Sequence, residues 1–395
     1  MSGPRTVKFP HDFKTFPGIA SLHLSVLKIR RFRNLGDQEL SFPPGGVAVI
    51  GANAQGKSNL LEAIYYLETF RSFRGARMEH LIAFGEDVFR VAGRVVTTGD
   101  PEGSGTEVAA AYDGLSRRRK VTIDGAEPER IGDAIGKLGA VIFSPADVGI
   151  ASEGPFRRRR FLDVALSLNH PGYLVALQAF RHALAQRNAA LRTDQPVAVV
   201  RAWDEPLARG TATVMGARHR WIAEWRDAFR GYYEEVSGGD SATMTYVPKV
   251  SVDDWHDDGI YRACRGALDA RWAVDLRRRS TSAGPHRDEL LFALIDGESE
   301  IEVREFGSGG QRRTVALALR LVEGDAIRKA RDSAPVLLLD DAFAELDDGR
   351  RERVLGLMGP GRFGQVILTA PKESDVPLRG DVLPRWGIND GRICA

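Results

Sequence analysis

The sequence predicts an α/β fold: a mixed sheet carrying a phosphate loop, an antiparallel β subdomain and an inserted helical arm subdomain. Three observations lead there. Val47 to Ile50 form a short, wholly apolar run, followed by a glycine-rich loop and then by Leu60, Leu61, Ile64 and Leu67 at helical spacing, which is the order strand, loop, helix. Residues 87–125 turn to short alternating segments, "VFRVAGRVV" and "VAAAYDGLSRRRKVTIDG", with Asp113-Gly114 as a hairpin turn. Residues 155–236 change character again, with few glycines and two long helical stretches.

The elements follow in order. Residues 1–20 are basic but lack a continuous apolar core before a small-residue cleavage site, so we expect a variable extension and no secretory signal. "LHLSVLKIRRFRNLGDQELSF" (22–42) alternates like a strand or hairpin edge, and "AVIFSPADV" (140–148) reads as a buried strand ending at Ser144-Pro145. "YLVALQAFRHALAQRNAALR" and "LARGTATVMGARHRWIAEWRDAFRGYYEEV" predict an antiparallel pair of helices about 30 to 45 Å long. A polar, weakly patterned region (237–280) follows, then two strand-like segments around Asp296-Gly297, a second glycine loop with its helix, and the apolar strands "PVLLLDD" and "QVILTA". We therefore divide the chain into an extension (1–20), a head (21–154 and 281–395) and a helical arm (155–280).

Composition bounds the function. A chain of 395 residues with net charge +2 has an ample core, and none of its apolar runs approaches the roughly 18 residues needed to span a membrane. Cys264 and Cys394 stand in no paired spacing, which fits a reducing, cytoplasmic compartment. Arginine outnumbers lysine 46 to 9, a compositional habit that dilutes any nucleic-acid signal in the total, so only a local basic patch is informative.

Gly51-Ala52-Asn53-Ala54-Gln55-Gly56-Lys57-Ser58, with Asn59 next, satisfies G-x-x-x-x-G-K-[ST]. Its glycines let backbone N–H groups turn toward phosphate oxygens, Lys57 reaches the β and γ phosphates of a nucleotide, and the Ser58 hydroxyl suits Mg2+. "VLLLDD" supplies the other half: a buried strand with two carboxylates at its end, Asp340 for the magnesium shell and Asp341 to orient the attacking water. In "FGSGGQRRT", Ser308, Gly309, Gly310 and Gln311 precede a helix striped by Val315, Leu319, Val322 and Ala326. Local physics leaves two readings there, an anion site at a helix N-terminus and a simple serine-capped helix.

The set "GANAQGKS", "GSGGQ", "VLLLDD" and "AELD", in that order, resembles the ATPase heads of the ABC superfamily, with Walker A, signature, Walker B and D-loop (Asp347) motifs. Within it, "LKIRRFRNL", "GANAQGKSNLLEAIYYL", "FSPADV", the arginine-rich run into "RRFLD", "GPHRDEL" and "LLLDDAFAELD" resemble the RecF family of bacterial recombination mediators, relatives of SMC proteins. The resemblance spans roughly residues 24–370. It implies an ATP- and Mg2+-dependent head that dimerises when two ATP molecules are clamped between the P-loop of one subunit and Ser308 to Gln311 of the other. It further implies weak DNA-dependent ATPase activity, binding to double-stranded and gapped DNA, partner mediators such as RecR and RecO, and roles in replication restart and the SOS response.

There are departures. Asp341 replaces the glutamate of most ABC ATPases and predicts slow hydrolysis; Thr369 stands where many relatives carry a switch histidine; no glutamine is clearly placed as a Q-loop, whose expected region is the Ser144 to Asp147 turn. His286 in "GPHRDE" reads as a structural or interface residue and not a catalytic one, lacking a cysteine or serine partner signature. The arginine clusters at 117–119, 157–160 and 277–279 each read singly as a solvated face, and together as candidate DNA-phosphate contacts, with Arg117, Arg118, Arg119, Arg157 and Arg158 foremost. Three competing readings are a transporter ATPase subunit, disfavoured by the long helical insertion and the missing Q-loop and switch histidine, a longer SMC-type structural protein, for whose coiled coil the interval between Walker A and Walker B leaves no room, and a nucleotide-dependent DNA scaffold with negligible turnover.

Overall fold

The structure, a computed structural model, describes residues 21–99, 104–343, 346–359, 361–378 and 382–394; the expected extension over 1–20 lies outside them. Contacts divide the chain into two compact units, 1–147 with 323–395, and 148–322. The second is wider than the 155–280 arm expected from sequence. It reaches past residue 280 because the segment beyond supplies strands that pair within this unit, and it begins at 148 because the short helix Val148–Ser152 packs on the helices Pro155–Asn169 and Val303–Phe306.

The chain lays down β1 (Leu22–Arg30), β2 (Gln38–Ser41), β3 (Gly46–Ile50), β4 (Val88–Thr97), β5 (Thr106–Asp113), β6 (Arg118–Ile123) and β7 (Ala140–Phe143) in the first unit. It then forms β8 (Ser241–Val247), β9 (Glu289–Asp296) and β10 (Ser299–Glu302) in the second, and returns with β11 (Val336–Asp340), β12 (Val366–Ala370), β13 (Arg385–Asn389) and β14 (Arg392–Cys394).

The first unit holds two sheets. One is antiparallel, in order β2-β1-β4-β5-β6; the other runs β14-β13-β3-β12-β11-β7 and is parallel except for its terminal β13–β14 hairpin. The helix Lys57–Thr69 packs against strands of both sheets, which is why it is buried nearly all round, with Leu60, Leu61, Ala63, Ile64 and Tyr66 all fully buried. Phe32 and Tyr66 meet Phe89 edge-on in the same core. Two glutamates of this helix are buried and partnered: Glu62 accepts from Arg33 Nε at 2.9 Å, and Glu68 from the Leu138 and Gly139 N–H groups at 3.0 and 2.9 Å. Parallel pairing of β3, β12 and β11 brings their carboxyl ends to one edge, with Ile50 opposite Ala370 and Thr369 opposite Asp340. The motif residues gather there.

In the second unit the helices Tyr173–Arg192 and Asp204–Ser237 pack together, the longer being 34 residues, or about 50 Å. Their direction follows from their contacts. Arg187 bonds Asp204, Phe180 abuts Gly210, and Tyr173 meets Arg218, so one helix descends as the other rises. Charge fills part of this core: Arg187 is fully buried between Asp204 and Asp275, and Arg218 donates to Asp163 at 2.8 Å. The weakly patterned region 237–280 holds β8 and the helices Asp257–Ala270 and Trp272–Arg278.

Candidate nucleotide site

The phosphate loop leaves β3 and enters the Lys57–Thr69 helix through Gly56, whose φ of 109° is open to glycine and strained for other residues. Lys57 is 5% exposed, its ammonium donating to the Gly51 and Ala52 carbonyls at 2.8 and 3.1 Å. The loop is fastened from outside by residues far apart in sequence. The Asp390 N–H donates to Gln55 Oε1 at 2.5 Å and the Gly391 N–H to the Gln55 carbonyl at 3.0 Å; Asn34 Nδ2 donates to the Ala54 carbonyl at 3.3 Å. Asn59 donates to Asn34 Oδ1 at 2.7 Å and accepts from Arg74 at 2.9 Å. Gln55 and Asn59 thus use their side chains to hold the loop. Asn34, Arg74 and the Asp390-Gly391 turn are site residues that local spacing did not disclose.

On the adjoining edge Ser58 Oγ donates to Asp340 Oδ1 at 2.7 Å. A hydroxyl and a carboxylate converging beside a phosphate loop are the hard oxygen donors Mg2+ takes, and among the described residues there is no cluster of three or more His, Cys, Asp and Glu to hold a metal without phosphate. Ser58 and Asp340 therefore fit the ion, which when bound would offset phosphate charge. Burial raises the Asp340 carboxyl above its usual range, opposed by the hydrogen bonds from Ser58 and Thr369. Asp341 sits in the left-handed region at φ 45°, with Oδ1 buried and, among the described residues, without a hydrogen-bond partner. Burial raises its pKa too, Lys57 opposing and Asp340 reinforcing, so its carboxylate is a stronger base than one in water.

In the second unit Ser308 and Gln311 cap the Gly309–Arg331 helix reciprocally: Gln311 N–H donates to Ser308 Oγ at 3.2 Å and Ser308 N–H to Gln311 Oε1 at 2.8 Å. Ser308 and Gly309 are exposed, and Phe306 beside them is 77% exposed. The loop is thus a serine-capped helix start, and its N-terminus is accessible. Of the D-loop, Ala344 and Glu345 lie outside the described residues, while Asp347 caps the helix Asp348–Leu357 by accepting the Arg350 N–H at 2.8 Å. At the Q-loop position Asp147 turns back to accept the Ser144 N–H at 2.8 Å.

The DNA candidates separate. Arg117 and Arg118 are exposed at the β5–β6 hairpin, whereas Arg119 reaches back to the Phe70 carbonyl at 3.0 Å. Arg157, in the first turn of the helix Pro155–Asn169, is half-buried and paired with Glu153, which precedes that helix. Arg158 requires correction: it is 2% exposed and bound bidentately to Glu289 at 2.7 and 2.9 Å, so its charge is committed inside the fold and is not available to DNA. His286 packs beside Phe180 with Nε2 at 3.1 Å from the Thr281 carbonyl.

A phosphate loop between a buried strand and a helix, aspartates at the end of a parallel strand two places along the same sheet, and a capped glycine helix start define an ABC-type ATPase head of the SMC kind. Residues 23–377 match the family described as RecF/RecN/SMC N terminal domain. The DNA replication and repair protein RecF of Caldanaerobacter subterraneus subsp. tengcongensis is 33% identical over 360 residues, covering 90% of this chain and 96% of the relative. A solved structure of the recombination mediator protein RecF with ATP superposes with a TM-score of 0.85 at 31% identity, covering 95% of this chain and 98% of that one. The Pyrococcus furiosus Smc head domain, at a TM-score of 0.53 and 17% identity over 94% of this chain and 95% of that one, shares the fold. The chain belongs to the RecF family.

Proposed function

We propose that the protein is an ATP-gated DNA clamp of recombinational repair, a weak DNA-dependent ATPase in which ATP joins two heads and slow hydrolysis releases them. The observation that carries the reading is the 2.7 Å contact of Ser58 with Asp340 beside the Lys57 loop, which unites the phosphate-binding and magnesium-binding halves of a nucleotide site. The capped, exposed N-terminus at Ser308 supplies N–H donors suited to the γ-phosphate of a second copy's ATP. ATP then belongs to the interface, and loss of the γ-phosphate removes the contact that favours the dimer. Lys57 steadies the β and γ phosphates and Asp341 orients the attacking water.

Double-stranded DNA and single-strand gaps are the proposed substrates for binding, with mediator proteins of the RecR and RecO kind as partners in recombinase loading, replication restart and SOS induction, in the cytoplasm. Among the described residues no helix is long and apolar enough to cross a membrane. The test is sedimentation with and without ATP. The wild type should pass from monomer to dimer, Ser308→Arg should remain monomeric while still binding ATP, and Asp341→Asn should hold the ATP dimer without turnover. A Ser308→Arg protein that dimerises normally would sink the trans reading.

A further inference from the structure

Thr369 is a buried polar side chain of the parallel sheet that no motif accounts for. It lies in β12 opposite Asp340 of β11 and is 2% exposed. Its Oγ1 stands 3.1 Å from Asp340 Oδ1 and 3.3 Å from the Leu339 carbonyl, and it accepts the Asp341 backbone N–H at 3.2 Å. A threonine hydroxyl has one proton, which in this position goes to the carboxylate or the carbonyl, while its lone pair takes the amide. That amide belongs to the residue whose φ of 45° is unfavourable for a side chain branching from an L-amino acid. Among the described residues Asp341 Oδ1 has no hydrogen-bond partner, and the backbone from which its carboxylate projects is held by Thr369.

We infer that Thr369 is a positioning residue of the ATPase reaction: one hydroxyl clamps the carboxylate of Asp340 and the backbone of Asp341, fixing the metal-side and water-side acids relative to each other. The inference rests on the reading of Asp341 as the water-orienting group. It also gives Thr369 a role other than sensing phosphate, because its hydroxyl is already engaged within the sheet.

Thr369→Val keeps the shape and removes the hydroxyl, while Thr369→Ser keeps the hydroxyl. Steady-state turnover and binding of a fluorescent ATP analogue are compared for these variants, the wild type and Asp341→Asn. Thr369→Val should lose about ten-fold or more in kcat, since a small misplacement of a reacting group is costly, with KM and analogue affinity within about three-fold of wild type. Thr369→Ser should recover most of the loss. A Thr369→Val enzyme with wild-type kcat, while Asp341→Asn is inactive, overturns the inference and leaves the reading of Asp341 intact. Parallel losses of kcat and ATP affinity without rescue by serine also overturn it, as a structural defect. Normal turnover in Asp341→Asn instead overturns the reading on which the inference stands.

Discussion

Burial lowers the pKa of His286 to about 4, against which the hydrogen bond from its ring to the Thr281 carbonyl works only in part. The unfolded imidazole titrates near 6.5. A base with a depressed folded pKa contributes stability that is complete above the unfolded value and is lost as pH falls from about 6.5 to about 4, a loss of up to ~3 kcal/mol. Denaturant melts of wild type and His286→Gln at pH 8 and at pH 4.5 isolate the effect, because the two proteins share every carboxylate. The wild type should lose more stability on acidification than the variant; equal losses would remove His286 as the cause. Arg158 makes the converse point. Removing one partner of a buried ion pair strands the other, so Arg158→Ala should cost about 3 kcal/mol with DNA affinity unchanged for the folded fraction, while Arg117→Ala and Arg118→Ala should weaken DNA binding at low salt and leave the melt alone. Nothing in the run "FRRRRFLD" marks which arginine is inside, since that is decided by Glu289, 131 residues on.

At the scale of elements, what could be read from sequence is what is local. The strand–loop–helix of the phosphate site, the paired aspartates closing β11 and the cap at Ser308 each lie within a few residues, where spacing, apolar run and capping chemistry act directly. The β8 strand escaped because its pairing with β9 joins segments some 40 residues apart and its own alternation is short. The support of the phosphate loop escaped for the same reason: Gln55 is held by the β13–β14 turn, 335 residues away. Gly391 in that turn has φ 72°, and a Cβ there would sit 1.9 Å from the Asn34 carbonyl oxygen. Gly391→Ala must therefore move the hairpin away from Asn34 and Gln55 together. We expect a weakening of ATP binding by about ten-fold, with a lowered melting midpoint, because the loop loses its outer hydrogen bonds. Wild-type ATP affinity in a folded Gly391→Ala protein would show that the hairpin only caps the sheet.

For the molecule as a whole, the γ-phosphate contact proposed for Ser308 has to be made to a second copy, and Phe306 bears on how the two would join. An exposed phenylalanine two residues from Ser308 makes few favourable contacts in a monomer, and large aromatic side chains at the centre of an interface commonly carry much of its binding energy. If ATP joins two copies across Ser308, Phe306 is covered at the same moment. Phe306→Ala should then weaken the ATP-dependent dimer by about ten-fold or more, while affinity for ATP in the monomer, which the proposed site assigns to Lys57 and the Ser58–Asp340 pair, stays as in wild type. Sedimentation across a concentration series in saturating ATP gives the dimer constant, and nucleotide titration at a dilution where both proteins are monomeric gives the other. A Phe306→Ala dimer of wild-type strength would place the joining surface away from the Ser308 loop, even if ATP still brought the two copies together.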